Sequence, residues 1–286
     1  MHGDANTRPG FSEALVDDLL AGLWTPSARR RAHPLLVGVS GLQGSGKSTL
    51  ARQLREHARG LGIACEALSL DDFYLGRRAR RQLARTIHPL LTTRGVPGTH
   101  ELPLLASTLA ALARASPASP ARLPRFDKGR DTRLPPSRWR RVTQAPRLVL
   151  LEGWCVGIPP QSAAALRRPC NRLERDEDPD GHWRRWVDAR LSGDYAALWR
   201  RLDRLLVLQA PSFACARRWR ARVERALHAR GASRAMDEPA LARFFMHYER
   251  LSRHALATLP ARAEVCAELD GQRAVRAIRA RPGSSE

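Results

Sequence analysis

Residues 41–49 combine glycines, a lysine and hydroxyl side chains in the spacing G-x-x-x-x-G-K-[ST]. Glycines let the backbone curl so that successive N–H groups point at phosphate oxygens, and a helix that begins at the lysine adds the positive end of its dipole. Lys47 supplies a compact cation for the β- and γ-phosphates, and Ser48 supplies a hydroxyl for Mg²⁺. The segment therefore predicts a site for ATP or GTP with Mg²⁺, formed by Gly41, Leu42, Gln43, Gly44, Ser45, Gly46, Lys47, Ser48 and Thr49.

Carboxylates follow two predicted strands, at the end of a sheet where ligands of α/β proteins gather. Asp71 and Asp72 come directly after the second strand, in the motif SLDDFY, and Glu152 ends the apolar run RLVLL. A carboxylate beside the γ-phosphate can accept a proton from an acceptor hydroxyl or help to position Mg²⁺. A helix cap or a strand-ending turn is the alternative for the aspartates. We predict that Glu152 is catalytic and acts on Mg²⁺ directly or through water.

A polar loop at residues 124–133 holds Lys128, one of only two lysines among 49 basic residues. A point cation can fix an anionic group of a substrate, and Arg133 offers a bidentate fork for a carboxylate. A solvated surface loop explains the same residues equally well.

Two further segments carry candidate groups. The basic helix around Arg220 could close cations over the phosphates, although a solvated arginine-rich face is the safer interpretation for any single arginine. The motif RGVPGTHE, which starts at Arg94, is a Pro-Gly turn with His100. A lone histidine is more often structural than catalytic, so this segment alone does not identify a site.

Apolar periodicity predicts the elements that position these groups. We expect an amphipathic helix at 11–24, a polar connector at 25–31, and a helix at 47–59 that Gly60 ends in the left-handed conformation. A Pro/Ser loop is predicted at 115–123, helices within 172–202, and a turn at 178–181. The alternation of strand, helix and strand implies a doubly wound parallel sheet. The predicted strands are 35–40, 63–70, 147–152, 204–209 and, as the last one, 264–269, and the other helices are 101–114, 212–230 and one opened by residues 237–239.

Composition restricts the partners. The formal charge of +21 is spread along the chain and aromatics make up only 6%, so a basic nucleic-acid-binding protein is the disfavoured reading. The five cysteines are scattered without a C-x-x-C pair, which fits a reducing compartment. No basic leader with an apolar stretch opens the chain, and we expect a cytoplasmic protein without a membrane span, monomeric or homodimeric.

The motifs GLQGSGKST, SLDDFY, RGVPGTHE, RFDKGRD and VLLEGWCVG together resemble the bacterial D-glycerate 3-kinase-like branch of the phosphoribulokinase/uridine kinase group of P-loop kinases. The resemblance covers most of the chain from about residue 35 onward. It implies a P-loop NTPase fold of the three-layer α/β/α type, with a mainly parallel sheet and a helical lid. The expected division is an amino-terminal helical extension at 1–33 and a kinase domain at 34–286, with the lid at about 211–235.

The same resemblance implies an ATP- and Mg²⁺-dependent transfer onto the hydroxyl of a small hydroxy acid, with D-glycerate as the leading acceptor. It makes Asp71 the carboxylate that activates the hydroxyl, Glu152 the metal-side carboxylate and Arg220 a lid cation beside Lys47. A nucleoside or pantothenate kinase, or an ATP-binding regulatory protein, remains the alternative. The predicted acceptor site contains Asp72, Tyr74, Arg94, His100, Lys128 and Arg133.

Overall fold

The most apolar runs of the sequence form the middle of a six-stranded sheet in the computed structural model, which describes residues 10–229 and 236–281. The first strand and the one at Leu148–Gly153 are buried along their whole length. A continuous apolar run of this kind is what a parallel strand covered on both faces requires. The strands are β1 (Leu35–Gly41), β2 (Cys65–Ser69), β3 (Ala121–Leu123), β4 (Phe126–Asp127), β5 (Thr132–Arg133), β6 (Arg140–Val142), β7 (Leu148–Gly153), β8 (Arg204–Gln209), β9 (Val265–Leu269) and β10 (Val275–Ala280).

The order of the sheet is β10-β9-β8-β1-β7-β2, in which β10 alone runs antiparallel to its neighbour. Two small antiparallel pairs, β3 with β6 and β4 with β5, lie outside it. The expected α/β fold with a mainly parallel sheet is therefore confirmed, with an antiparallel strand added at one edge.

The register of the sheet brings the sequence motifs to one end. Glu152 of β7 pairs with Val39 of β1 on one side and with Ser69 of β2 on the other. The P-loop follows β1 and Asp71 follows β2, so three neighbouring strands deliver their polar termini to the same edge. This is the place where ligands bind to open parallel sheets.

Helices flank the sheet. The first one begins at Glu13 after the N-cap Ser12, whose hydroxyl accepts from the Leu15 amide, and it buries Val16, Leu19 and Leu20. The helix after the P-loop begins at Lys47. The helices are α1 (Glu13–Leu23), α2 (Pro26–Arg29), α3 (Lys47–Gly60), α4 (Arg77–Thr86), α5 (Leu102–Ala113), α6 (Ala163–Leu166), α7 (Arg172–Glu177), α8 (His182–Arg190), α9 (Ala196–Trp199), α10 (Phe213–Ala229) and α11 (Glu238–Thr258).

Several local predictions were wrong. Gly60 does not end α3 in the left-handed conformation; Gly62 does, with φ 76°, and the amide of Ile63 returns to Ala58 O. The connector at 25–31 contains the short helix α2, which starts with Pro26 at a position where its missing N–H costs nothing. The expected loop at 115–123 ends in β3, and β9 is followed by another strand.

The strand β10 was missed because it is exposed along almost its whole length and because its two large apolar residues, Val275 and Ile278, are three positions apart, which is not the alternation of a half-buried strand. The division into an extension at 1–33 and a domain at 34–286 stays a prediction, as does the lid at 211–235. Residues 1–9, 230–235 and 282–286 lie outside the described part. Within that part, the helices are too short or too polar for any of them to traverse a bilayer.

Candidate active site

The P-loop runs from β1 into α3 and approaches α10 closely at one glycine. Gly44 has φ 81°, a left-handed conformation that glycine adopts without strain. A Cβ at this position would lie 3.0 Å from Trp219 Cβ and 3.2 Å from the Arg220 amide nitrogen. The backbone conformation and the space both require glycine here.

Lys47 and Ser48 open α3 below this loop. Lys47 Nζ donates to Leu42 O at 3.0 Å, and Ser48 Oγ donates to Glu152 Oε1 at 2.9 Å. Burial lowers the pKa of Lys47 from its usual value, although the charges of Glu152 and Asp71 act to raise it. The predicted cation, hydroxyl and metal-side carboxylate are thus brought into one electrostatic cluster.

Asp71 lies at the end of β2 and uses both carboxylate oxygens. Lys128 Nζ donates to Oδ2 at 2.5 Å, and the Tyr74 hydroxyl donates to Oδ1 at 2.6 Å. Burial by itself would raise the pKa of Asp71, but the Lys128 charge and the two hydrogen bonds outweigh it and lower the pKa. At neutral pH Asp71 is therefore an ionised carboxylate beside the Lys47 cluster.

The hairpin of β4 and β5 is fastened to the segment that contains Asp71. One oxygen of Asp72 accepts from the Phe126 amide at 2.9 Å, and burial raises the pKa of Asp72. Arg133 donates to Tyr74 O at 2.9 Å and pairs with Glu101 at 2.7 Å. Both predicted acceptor residues, Asp72 and Arg133, have partners within the protein that hold the hairpin in place.

Arg94 lies beside the hairpin turn. Its guanidinium donates to Asp131 at 2.5 Å and to Lys128 O at 3.4 Å, and its carbon lies 5.9 Å from the centroid of the Tyr74 ring. The carbonyl of Arg94 accepts from the Tyr248 hydroxyl at 2.7 Å. The structure brings Arg94, Lys128 and Tyr74 together, as the sequence predicts.

His100 is buried against the same aromatic ring. The ring centroids of His100 and Tyr74 are 4.9 Å apart, and His100 Nδ1 lies 2.6 Å from the Tyr195 hydroxyl. That hydroxyl also accepts from the Gly98 amide at 3.0 Å. Burial lowers the pKa of His100 to about 4, with the Asp71 charge acting in the opposite direction. His100 is a neutral ring at physiological pH.

The side chain of Arg220, the predicted lid cation, contacts residues other than Lys47, Glu152 and Asp71. It ion-pairs with Glu224 one turn along α10, and its guanidinium carbon lies 5.9 Å from the centroid of the Phe244 ring. Its backbone, by contrast, lies against Gly44 of the P-loop.

Two residues beside the P-loop were missed by sequence reasoning. A Cβ at Gly46 would meet the Phe11 ring at 3.1 Å, and Arg273 donates to Gly44 O at 3.4 Å. Phe11 is fixed by two hydrogen bonds between its backbone and the Gln53 amide, at 3.0 and 2.8 Å. The two residues border a groove of about 620 Å³ between the start of α1 and β10. No signal in the sequence pointed to Arg273, whereas the apolar residue before the Ser12 cap could have marked Phe11 as packed.

The residues present fit a nucleotide with Mg²⁺. The Ser45 hydroxyl and the Gln43 side-chain amide in the P-loop are buried without a hydrogen-bond partner among the described residues. Such groups favour a ligand that supplies acceptors and donors. The adjacent Ser48 hydroxyl and Glu152 carboxylate are the hard oxygen ligands that Mg²⁺ takes in phosphate sites.

A P-loop between a central strand and its helix, with one carboxylate at the end of the neighbouring strand β7 and another after β2, the next strand in the sheet, is the arrangement of a P-loop kinase. No family model matches the chain. The chain is 32% identical over 243 residues to the uncharacterized kinase mug58 of Schizosaccharomyces pombe, a match that covers 82% of this chain and 86% of the relative. It is 29% identical over 212 residues to the chloroplastic D-glycerate 3-kinase of Arabidopsis thaliana, covering 72% of this chain and 44% of that relative.

Among solved structures, the D-glycerate 3-kinase of Cryptococcus neoformans superposes with a TM-score of 0.76 at 22% identity, over 94% of this chain and 100% of the other. At this identity the likeness concerns the fold. The chain belongs to the kinase family that includes mug58, and the prediction of a phosphotransferase is confirmed. Kinases with a P-loop generally use ATP with Mg²⁺.

Proposed function

We propose that this chain transfers the γ-phosphoryl group of ATP onto a hydroxyl of D-glycerate. The observation that carries the proposal is the contact between Lys128 and Asp71 at the carboxyl ends of the strands, beside the P-loop. A cation next to a catalytic carboxylate suits an acceptor that is itself an anion with a hydroxyl group. The similarity to two proteins named D-glycerate 3-kinase supports the same acceptor.

On the acceptor side, we propose that Asp71 accepts the proton of the reacting hydroxyl. Its lowered pKa keeps it ionised at neutral pH, and the hydrogen bond from Tyr74 orients it. The acceptor carboxylate takes Lys128 as its counter-ion and so draws the ammonium group away from Asp71 Oδ2. Arg94 extends the cationic wall, and the neutral His100 ring packs behind Tyr74.

Asp72 and Arg133 then contribute to the acceptor site mainly by holding the hairpin, since each already has a protein partner. The acceptor itself is proposed to contact Lys128 and Arg94. Asp72 and Arg133 thus belong to the proposed site as residues that support its shape.

On the nucleotide side, ATP supplies the phosphoryl group and Mg²⁺ compensates its charge when both are bound. The P-loop residues 41–49 are proposed to hold the phosphates through their amides, with the nucleoside directed to the groove beside Phe11 and Arg273. Ser48 and Glu152 are proposed to hold the metal, and Lys47 to neutralise charge on the transferring group. Arg220 would join it by exchanging Glu224 for a phosphate oxygen.

An acceptor screen that follows ADP release tests the proposal. The purified protein is given ATP, Mg²⁺ and, separately, D-glycerate, pantothenate or uridine. We expect ADP release that depends on D-glycerate, together with a phosphoglycerate product. Turnover with uridine or pantothenate alone would reassign the acceptor, and hydrolysis without any acceptor would favour an ATP-binding regulatory protein.

Four finer expectations accompany the proposal. The relatives reported above are eukaryotic, so the bacterial branch of the family rests on the sequence motifs. A cytoplasmic location and a monomeric or homodimeric state are likewise predictions. Specific nucleic-acid binding is not expected, because the basic residues are spread over the chain.

A further inference from the structure

The carboxylate of Asp131, at the turn between β4 and β5, contacts three arginines. Its carboxylate accepts from Arg80 and from Arg94 at 2.5 Å each, and from Arg77 at 3.5 Å. Burial acts to raise the pKa of Asp131, but the hydrogen bonds from Arg80 and Arg94 outweigh it and lower the pKa. The carboxylate is therefore charged throughout the neutral range.

The guanidinium of Arg80 is held in place by several hydrogen bonds. It belongs to α4, is 3% exposed, and donates its other N–H groups to Leu75 O at 2.7 Å and Thr92 O at 3.0 Å. These carbonyls lie in the segment after Tyr74 and in the segment before Arg94. A carboxylate attached to such a guanidinium cannot move freely, because a buried charge left without its partner is costly.

The other end of this connection is the hairpin turn that contains Lys128. Asp131 has φ 55°, a left-handed conformation that aspartate tolerates better than most residues. Asp72 and Arg133 hold the base of the hairpin through Phe126 N and Tyr74 O, whereas Asp131 holds its tip. Lys128 stands on that tip, 60% exposed, and meets Asp71 there.

We propose that Asp131 is a positioning residue for the acceptor site: it clamps the hairpin tip to Arg80 so that Lys128 faces Asp71, and it holds Arg94 beside them. The ligand class that this arrangement serves is a small carboxylate, whose charge would lie between Lys128 and Arg94. The inference rests on the proposed function for the identity of the acceptor, but the clamp itself is a property of the hairpin.

The test compares Asp131→Asn with Asp127→Asn in steady-state kinetics and hydrogen exchange. Asparagine keeps the size and the tolerance of positive φ while it removes the charge. Asp127 lies in the same hairpin, and among residues 10–229 and 236–281 its side-chain polar contacts are those to Arg130 within that turn. For Asp131→Asn we expect a rise of about tenfold or more in KM for D-glycerate, with KM for ATP nearly unchanged. The peptide covering residues 126–134 should exchange faster in this variant than in Asp127→Asn.

Asp131→Glu provides a second variant, because it keeps a countercharge for Arg80 and so preserves folding. Its extra methylene shifts the hairpin tip, and we expect a smaller rise in the same KM. Parallel losses for D-glycerate and ATP, or unchanged kinetics in both variants, would overturn the proposal.

Failure of the proposed function has a different signature. In that case the unaltered protein shows no turnover with D-glycerate. The hydrogen exchange of residues 126–134 is then the measurement that tests the clamp. Faster exchange in Asp131→Asn but not in Asp127→Asn then supports the clamp, and equal exchange in the two variants overturns it.

Discussion

Lys128 Nζ and Asp71 Oδ2 lie 2.5 Å apart although 57 positions separate the two residues in the chain. The lysine is 60% exposed and the aspartate 25%, so the pair is open to a competing anion. An exposed ion pair contributes little to stability. Its value here is that an anionic acceptor can take the lysine and free an oxygen of the carboxylate.

Lys128→Ala therefore tests the acceptor site. We expect KM for D-glycerate to rise far more than KM for ATP, because only the acceptor loses its counter-ion. Steady-state kinetics with each substrate varied in turn measures the ratio. Arg130→Ala, which changes an exposed cation two residues away, is the control. A larger effect on ATP would remove Lys128 from the acceptor site.

Asp71→Asn tests the proposed base. Asparagine cannot accept the hydroxyl proton, so turnover should fall by about 10²-fold or more while ATP binding persists. Nucleotide affinity from calorimetry and kcat from ADP release separate the two effects. Near-normal turnover in the variant would assign proton acceptance to another group.

Lys47→Met should reduce turnover severely without destabilising the protein. The lowered pKa shows that the fold holds the lysine charge at a cost when no phosphate is bound. At every pH below the pKa of Lys47 in the folded protein, burying its positive charge lowers the free energy of unfolding. Methionine has a similar length and no charge, so the substitution removes this destabilisation. We expect kcat to fall by about 10²-fold or more, with a Tm in the absence of nucleotide that is equal or higher. A clear drop in Tm would contradict this account.

Because His100 is buried, we expect the free energy of unfolding to fall at acidic pH. Its pKa is about 4 in the folded chain and 6.5 in its usual environment, so the unfolded chain binds more protons between these values. The contribution of the neutral ring is complete above pH 6.5 and declines as the pH falls toward 4. His100→Gln should flatten this part of the curve of unfolding free energy against pH, measured by denaturant titration at several pH values. An unchanged slope would mean that other groups control the acid limb; burial lowers the pKa of His88 and His247 in the same direction.

Gly98→Ala should destabilise the loop that carries His100. Gly98 has φ 93°, and a Cβ there would lie 2.3 Å from the Trp186 ring. The left-handed backbone and the steric overlap together should cost about 2 kcal/mol or more. Gly193→Ala is the matched control, since a Cβ at Gly193 meets no atom within 4 Å. Equal unfolding free energies for the two variants would contradict the packing described here.

The sequence predicted those parts of the molecule that depend on local pattern. Continuous apolar runs identified β1, β7 and β8, and the spacing of glycines and lysine identified the loop after β1. The pairing of Glu152 with both neighbouring strands follows from the sheet order, which no local pattern contains. The same limit explains why Asp131 and Tyr195 were overlooked.

The reason in each case is physical. Asp131 acts through arginines 37 and 51 positions away, and Tyr195 reaches His100 across 95 positions. Tyr195 also belongs to a π-helical turn at Leu191–Tyr195, where the extra residue breaks the periodicity that sequence reasoning uses. Contacts of this kind become visible only when the chain has folded.

The contact of Gly44 with Trp219 limits which motions the kinase can make. Trp219 is 1% exposed, and its indole N–H donates to Gly271 O at 2.7 Å. This hydrogen bond attaches the first half of α10 to the turn before β10. An outward movement of the whole of α10 would therefore have to break this hydrogen bond and separate Trp219 from Gly44 of the phosphate loop.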